Sequence, residues 1–553
     1  MATIQKKVIK GNAYWYLIES RRVNGKPRPI VLAYLGSTDK LIARLGFAPV
    51  DRHDQSSESK LKCFAYGAVA ALLQAAQDIG LEEILTRHFP IQQRGGLSVA
   101  RTLLVASIYR ALRPGSKRAF AAWAKDTALP VLLSFNPRQL TAQRFWDQMN
   151  VVDVDALQAA EAEVAQRVVG QLKVPLDLLL YDATNFYTWI SHHNRRNALC
   201  RYGHNKQKRT DLRQFNLALL CSRDELVPVL SKVYAGQIPD AKSFPLVISE
   251  IRTRLAALNA GLAKPITVVM DKGNYSQEIQ LALATAELDW VAAMNPMMIP
   301  GTERVRKGYF RPVIVDDQPI LAWHRAKRLW GQEGQLIIYY SEKAQYSNRY
   351  WLDEKLAEMV QFLIKVNGGQ RHLGPLQREV NERLKKHDVG KVLKVELTRE
   401  ANRIQATWTR NEKMYRYLTE ECYGREILFT SRLDLSSGQA IKCHHDLGRI
   451  ENVFRSMKDE LHLSVIPEYH WTDQKIRVHV FTCLLGLILT GLVHRKTKDK
   501  GLDISANRMM DELKQIHEIT IVDRDPKGRL RVRRKIEEMD DDRRRIAEAV
   551  GIS

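Results

Sequence analysis

Leu178-Leu179-Leu180-Tyr181-Asp182-Ala183-Thr184 is an unbroken apolar run that ends in a single carboxylate. Without polar alternation, such a run predicts a strand buried on both faces. A lone carboxylate at its end is costly to bury unless a cation meets it. A second run of the same kind, Ile266-Thr267-Val268-Val269-Met270, ends at Asp271. The question the sequence poses is therefore which carboxylates converge, and the candidates are Asp182, Asp271 and, further on, Glu451.

Around these two runs the pattern is that of a mixed α/β sheet. After the strand at Asp182 come strand-like segments at 215–221 and 227–234, a helical period over 244–258, the Asp271 strand, a helix over 277–286 and a strand at 290–294. The order βββ-α-β-α-β belongs to sheets whose active groups lie beyond the strand ends. From 295 to 440 a mixed insert interrupts the sheet, with strand-like segments at 313–315, 336–340, 392–397 and 427–429 and a helix over 350–366. A helical period then returns over 445–461. Leu447, Ile450, Phe454, Met457 and Leu461 form one stripe, and Glu451, Arg455 and Lys458 form a second at i, i+4 and i+7.

Upstream, residues 14–35 alternate about Val23-Asn24-Gly25-Lys26, a hairpin signal. Residues 64–170 are rich in Ala and Leu at helical spacing, broken at Pro90, Gly95-Gly96 and Pro114-Gly115. Arg110, Arg113, Lys117 and Arg118 gather near one break, as a phosphate-contact patch or equally as an exposed basic loop. Past Lys498 the chain is polar, with a basic run over 527–535 that suits a DNA backbone or a solvated tail. These changes divide the chain into a β-hairpin element (1–60), a helical segment suited to DNA binding (61–170), two parts of a sheet core (171–295 and 441–497), an insertion with β-strands (296–440) and a basic tail (498–553).

Lys and Arg number 85 against 62 Asp and Glu, a net charge of +23. Spread along the whole chain, that excess points to a polyanion, nucleic acid before membrane. Six cysteines without a CxxC spacing indicate neither a disulfide framework nor a ribbon-type zinc site, which fits a reducing cytoplasm. The first residues lack a hydrophobic signal core. The longest apolar segment, 480–493, falls short of the ~20 residues that a spanning helix needs, and reads as a core helix.

Three acids on separate elements match what phosphodiester chemistry needs. Two divalent ions ~4 Å apart activate the attacking oxygen and stabilise the leaving one, held by carboxylates. Singly, each acid has an ordinary structural explanation: Asp182 and Asp271 shaping turns, Glu451 pairing with Arg455. Together they favour the catalytic reading. His192, His193, Cys200 and His204 have zinc-ligand chemistry but irregular spacing, and Cys443-His444-His445 is no better placed. The connection after Asp182 carries Arg195, Arg196, Arg201, Lys206, Lys208, Arg209 and Arg213, a density that favours gripping a nucleic-acid backbone.

Tyr181-Asp182-Ala183-Thr184, the basic segment 203–214, Val269-Met270-Asp271-Lys272-Gly273 and the segment 447–458 together resemble the DDE transposases of bacterial insertion sequences. The resemblance is to the branch with a β-strand insertion. It implies a multidomain α/β protein: a ribonuclease H-like mixed sheet flanked by helices, interrupted by an α+β insertion, and preceded by a small β element and a helical domain. It further implies that Asp182, Asp271 and Glu451 are the catalytic, metal-binding triad, with Mg2+ as cofactor and Mn2+ as substitute. Lys458 matches the family's lysine seven residues after the Glu, and Arg449 and Arg455 stand as phosphate contacts with Lys206, Lys208, Arg209 and Arg213. Related groups place a Tyr seven residues and an Arg four residues before that Glu, where this chain has His444 and Leu447. The implied partners are double-stranded DNA, as transposon ends and target, and a second copy of the chain or more, without a membrane. In the resemblance an aromatic of the insert stacks on a flipped base, while core packing is the other reading of each of Trp323, Trp330, Trp351 and Trp408. A metal-dependent nuclease that does not join ends, or a silent DNA-binding relic, stay open as alternatives.

Overall fold

The structure, a computed structural model, describes residues 2–9, 12–23, 26–37, 40, 60–91, 96–203, 209–258, 266–271, 276–459, 463–466, 468–524 and 530–552. The chain divides into two compact units, Met1–Cys63 with Ile519–Lys535, and Phe64–Glu518 with Ile536–Ser553.

In the first unit, β1 (Ala2–Ile9), β2 (Asn12–Val23) and β3 (Lys26–Ser37) form an antiparallel sheet. Val23 faces Lys26 across β2 and β3, so the connection is the two residues Asn24-Gly25, themselves outside the described residues. The strand β4 (Lys60–Ala65) leads into the second unit.

That unit opens with helices, among them Gly67–Asp78, Leu81–His88, Val99–Leu112, Ala142–Val151 and Val154–Leu172. Val99–Leu112 is buried on almost every side because the apolar helix Asp473–Asp499 lies against it. The close approach depends on Gly486, where a methyl group would come within 2.9 Å of the Ser107 carbonyl. Asp473–Asp499 is apolar and long enough by composition to cross a membrane, yet 83% of its most apolar window is buried in protein. It is a core helix.

The sheet is built on β5 (Leu178–Thr188), β6 (Arg213–Ser222), β7 (Pro228–Ala235), β8 (Thr267–Met270) and β9 (Asp289–Ala293). The first three form an antiparallel meander, while β8 pairs parallel to β5 and β9 parallel to β8. The resulting order β7-β6-β5-β8-β9 is that of a ribonuclease H-like sheet. Helices cover both faces. Leu179, Tyr181, Met270 and Trp290 share a core with the helices Asp240–Ala257 and Gln277–Thr285. Leu178, Leu180, Val269 and Val291 share another with the helices Leu447–Lys458 and Asp473–Asp499.

The insert differs from an interruption of the sheet. Its strands β10 (Arg311–Val315), β11 (Gln318–Leu329), β12 (Gln332–Tyr340) and, after a lobe, β15 (Arg425–Thr430) extend the same sheet in the order β10-β11-β12-β15-β9. Pairing with β15 removes what would be an exposed edge at β9. A lobe that includes β13 (Leu393–Glu400), β14 (Arg403–Arg410) and the helices Glu342–Val366 and Leu373–Leu384 stands apart, around a core of Leu352, Leu356, Leu363 and Val380.

The expected tail is folded. The helices Ala506–Lys514 and Asp541–Val550 bury Met509, Met510, Leu513, Ile546 and Val550, and β16 (His517–Arg524) and β17 (Leu530–Ile536) make a sheet of order β17-β16-β4. Within it Arg533 pairs with Asp523.

Candidate active site

The parallel register of β5 and β8 decides where the two aspartates stand. Tyr181 lies opposite Met270, so Asp182 and Asp271 are the next neighbours on adjacent strands. Leu180 and Val269 belong to one core, Tyr181 and Met270 to the other, and the strand alternation puts both carboxylates on the side of Leu180 and Val269. Asp182 is half-buried and accepts a hydrogen bond from the Ala183 amide at 2.8 Å, whereas Asp271 is exposed.

The helix Leu447–Lys458 covers that same face. Leu447, Ile450, Val453, Phe454 and Met457 are buried, as the stripe predicts, and Leu461 lies outside the described residues. Glu451 and Lys458, two turns apart on one flank, border the buried stripe. Lys458 donates to the Thr184 hydroxyl at 2.6 Å and stands 5.5 Å from the centre of the Phe186 ring, which ties the last turn to β5 two residues past Asp182. Asp182, Asp271 and Glu451 do not form a group whose oxygens all lie within 4.8 Å of one another.

The sequence reading missed Tyr339. It is carried by β12, and its hydroxyl shares a hydrogen bond of 3.1 Å with His444 Nδ1. Burial, with the Glu426 and Asp271 carboxylates, holds that hydroxyl protonated far above the usual phenol range, so Tyr339 lies within electrostatic reach of Asp271. The only signal in the sequence was the unusual His444. Leu447 is packed in the core and supplies no cation.

The basic residues separate sharply. Arg455 is exposed on the helix. Arg449 is on the opposite flank from Glu451 and donates to the Asp224 carbonyl at 2.6 Å, so the fold does not bring it to the triad. Arg209 makes a two-pronged pair with Asp211, and Arg213 donates to the carbonyls of Asn194, at 3.1 Å, and His192. Lys206 and Lys208 lie outside the described residues. Two members of the expected patch near Gly115 point inward: Arg110 is buried, and the Lys117 ammonium reaches His479. Their positions follow from the helix packing, which turns that side of Val99–Leu112 to the interior.

Among the described residues, the group of donors that does lie within 4.8 Å is a different one: Glu468, His470 and His479, all buried. The zinc candidates His192 and Cys200 are not part of it, and His204 lies outside the described residues. Lys117 Nζ donates to His479 Nδ1 at 2.7 Å, and His479 Nε2 donates to the Val465 carbonyl at 2.8 Å. Both ring nitrogens are thereby committed, and the cluster carries its own cation. Burial pushes the Glu468 carboxyl up to about 7 against the pull of Lys117, and burial with Arg110 pulls Lys117 down to about 7. Glu468, His470 and His479 suit proton sharing with Lys117 better than a metal.

No curated protein sequence matches the chain. Among solved structures it is similar to the piggyBac transposase of a cryo-EM synaptic complex with hairpin DNA, at 7% identity and a TM-score of 0.37, over 82% of each chain. A family model described as the transposase DDE domain matches residues 175–486, from just before β5 to the middle of the helix Asp473–Asp499. Spanning more than half of the chain and all three acidic positions, the match shows that the chain belongs to the transposase DDE domain family.

Proposed function

We propose that this transposase binds the terminal inverted repeats of an insertion sequence, cuts DNA there with Mg2+ or Mn2+, and joins the freed 3′-hydroxyl to target DNA. The observation that carries the reading is the register that sets Asp182 beside Asp271 on the face covered by the Glu451 helix. Family membership implies a divalent metal, and the acids fit one: hard carboxylate oxygens, half-buried at Asp182 and exposed at Asp271 and Glu451, leave room for phosphate oxygens. When bound, the metal supplies Lewis-acid activation of the attacking oxygen and charge relief at the leaving one.

The remaining roles belong to the chain. Asp182, Asp271 and Glu451 hold the metal. Lys458 anchors its helix on Thr184 and sets a positive charge at the rim, and Arg455 adds another exposed one for phosphate. Tyr339, fixed by His444, shapes the wall beside Asp271. Lys206 and Lys208, on the connection after β5, meet the DNA backbone, while Arg213 braces that connection through the Asn194 and His192 carbonyls. Two ends must be held at once, so a homodimer or larger assembly forms on double-stranded DNA, in the cytoplasm of a bacterial or archaeal cell.

The test is cleavage and strand transfer on a labelled duplex carrying the element's own end, wild type against Glu451→Ala. Metal-dependent nicking and joining, both lost in the variant while end binding survives, establishes the enzyme and the least obvious triad member. Nicking without joining turns the reading to a nuclease. End binding without nicking by wild type turns it to a silent relic.

A further inference from the structure

Residues 468–471 invert the usual partition of side chains. Glu468 is fully buried and His470 is 7% exposed, whereas their neighbours Tyr469 and Trp471 are 55% and 54% exposed. Ordinarily the aromatic pair would be inside and the ionisable pair in water. Here the interior is committed to polar groups. The Glu468 carboxylate accepts the His470 amide at 2.6 Å and faces His479 and Lys117, and every second side chain, the aromatic ones, lies outward.

The outward rings do not stand alone. Trp189, 40% exposed, follows the end of β5, and its amide donates to the Glu468 carbonyl at 2.9 Å. Its ring lies 5.9 Å from that of Tyr469 at 41°. The Asn194 amide group donates to the Trp471 carbonyl at 2.9 Å, and the amides of Ala198 and Leu199 bind the Asp473 carboxylate. The aromatic side chains therefore rise from backbone held at four points, which lowers the ordering cost of binding. Exposed Arg195 and Arg196 directly follow Asn194, whose side chain holds Trp471.

We propose that Trp189, Tyr469 and Trp471 form a platform on which unpaired bases of a DNA strand stack, with Arg195 and Arg196 meeting its phosphates. Rigid exposed aromatics among cations are what sequence-tolerant binding of unpaired nucleotides requires. Trp189 lies seven residues beyond Asp182, no more than about 23 Å along β5. That is roughly seven base pairs at 3.4 Å each, so the platform serves DNA held beside the cutting site. The inference rests on the reading of the chain as a DNA transposase, and it assigns stacking to this loop rather than to the tryptophans of the insert.

The test uses the full chain with a thymidine single strand carrying one fluorescent aminopurine, and with the matching blunt duplex. Wild type is expected to quench the aminopurine on binding. Combined Trp189→Ala and Trp471→Ala should weaken single-strand binding by about tenfold or more, with duplex binding kept within about twofold and unchanged thermal melting. Trp471→Phe should restore most of the affinity, and Trp351→Ala, in the insert, should leave it intact. Absence of quenching by wild type, an equal loss on duplex, or a loss that follows Trp351 instead overturns the platform. End cleavage by a protein that fails these assays sinks the platform alone. Aromatic-dependent quenching by a protein that never cleaves sinks the enzyme reading alone.

Discussion

Two acidic clusters in one compact unit face opposite environments. Glu468 is completely buried, meets Lys117, His470 and His479, and has its carboxyl raised to about 7. Asp182 is half-buried, and Asp271 and Glu451 are exposed on the face that the Glu451 helix covers. Both contain the residue types that hold metals. The buried one already has a cation inside it, and removing a partner would strand a charge. The open one is exposed at Asp271 and Glu451. Residue type alone therefore does not separate the two groups; burial does.

The largest effect should fall on the open cluster. Asp182→Asn is expected to reduce end cleavage by about a thousandfold or more, while the melting temperature stays nearly unchanged. A variant that melts early without loss of intrinsic activity would reverse the comparison. The buried cluster should behave oppositely. Glu468→Ala leaves the Lys117 ammonium and Arg110 without a carboxylate and should cost about 3–5 kcal/mol in denaturant unfolding; an unchanged midpoint would show that Lys117 is neutral there.

Acid sharpens the contrast further. His470 and His479 are held well below the ordinary imidazole range, chiefly by burial and then by Lys117. Their contribution is complete above the unfolded value near 6.5 and is lost as pH falls toward their folded values. Glu468, raised, works in the other direction between its unfolded value of 4.5 and about 7. Two histidines outweigh one carboxyl, so stability should fall as pH drops from 6.5 to 5. His470→Gln should flatten that slope by about 1.4 kcal/mol per pH unit, read from unfolding midpoints across the window. An unaltered slope would remove His470 from the titrating set.

The smallest expected effect belongs to Tyr339. Tyr339→Phe removes the hydrogen bond to His444, worth about 1 kcal/mol, and should slow cleavage by about fivefold with DNA end binding retained. A complete loss of cleavage would make Tyr339 a catalytic residue rather than a wall of the site.

The elements that carry the candidate site were legible in sequence because local periodicity and strand ends mark them. The apolar runs ending at Asp182 and Asp271 are β5 and β8, and the stripe Leu447, Ile450, Phe454 and Met457 is the buried side of the Glu451 helix. The meander, the parallel pair and the helices between them follow in the expected order. The insert was harder: β11 and β14 escaped notice, and nothing local indicated that β12 and β15 would continue the sheet at β9, since pairing partners far apart in the chain leave no periodic trace.

What the sequence by itself determined is the chemistry on each element: a basic chain, carboxylates closing two apolar strands, and a helix with Glu451 and Lys458 on one flank. Tertiary structure alone decided which charges remain available. Helix packing drew Arg110 and Lys117 inward, Arg449 and Arg213 were taken by backbone carbonyls, and Tyr469 and Trp471 were turned to solvent by the polar residues beside them. The physical reason is that a periodic pattern reports which side of an element is apolar. What a long polar side chain meets depends on elements brought close only when the sheet and its helices have packed.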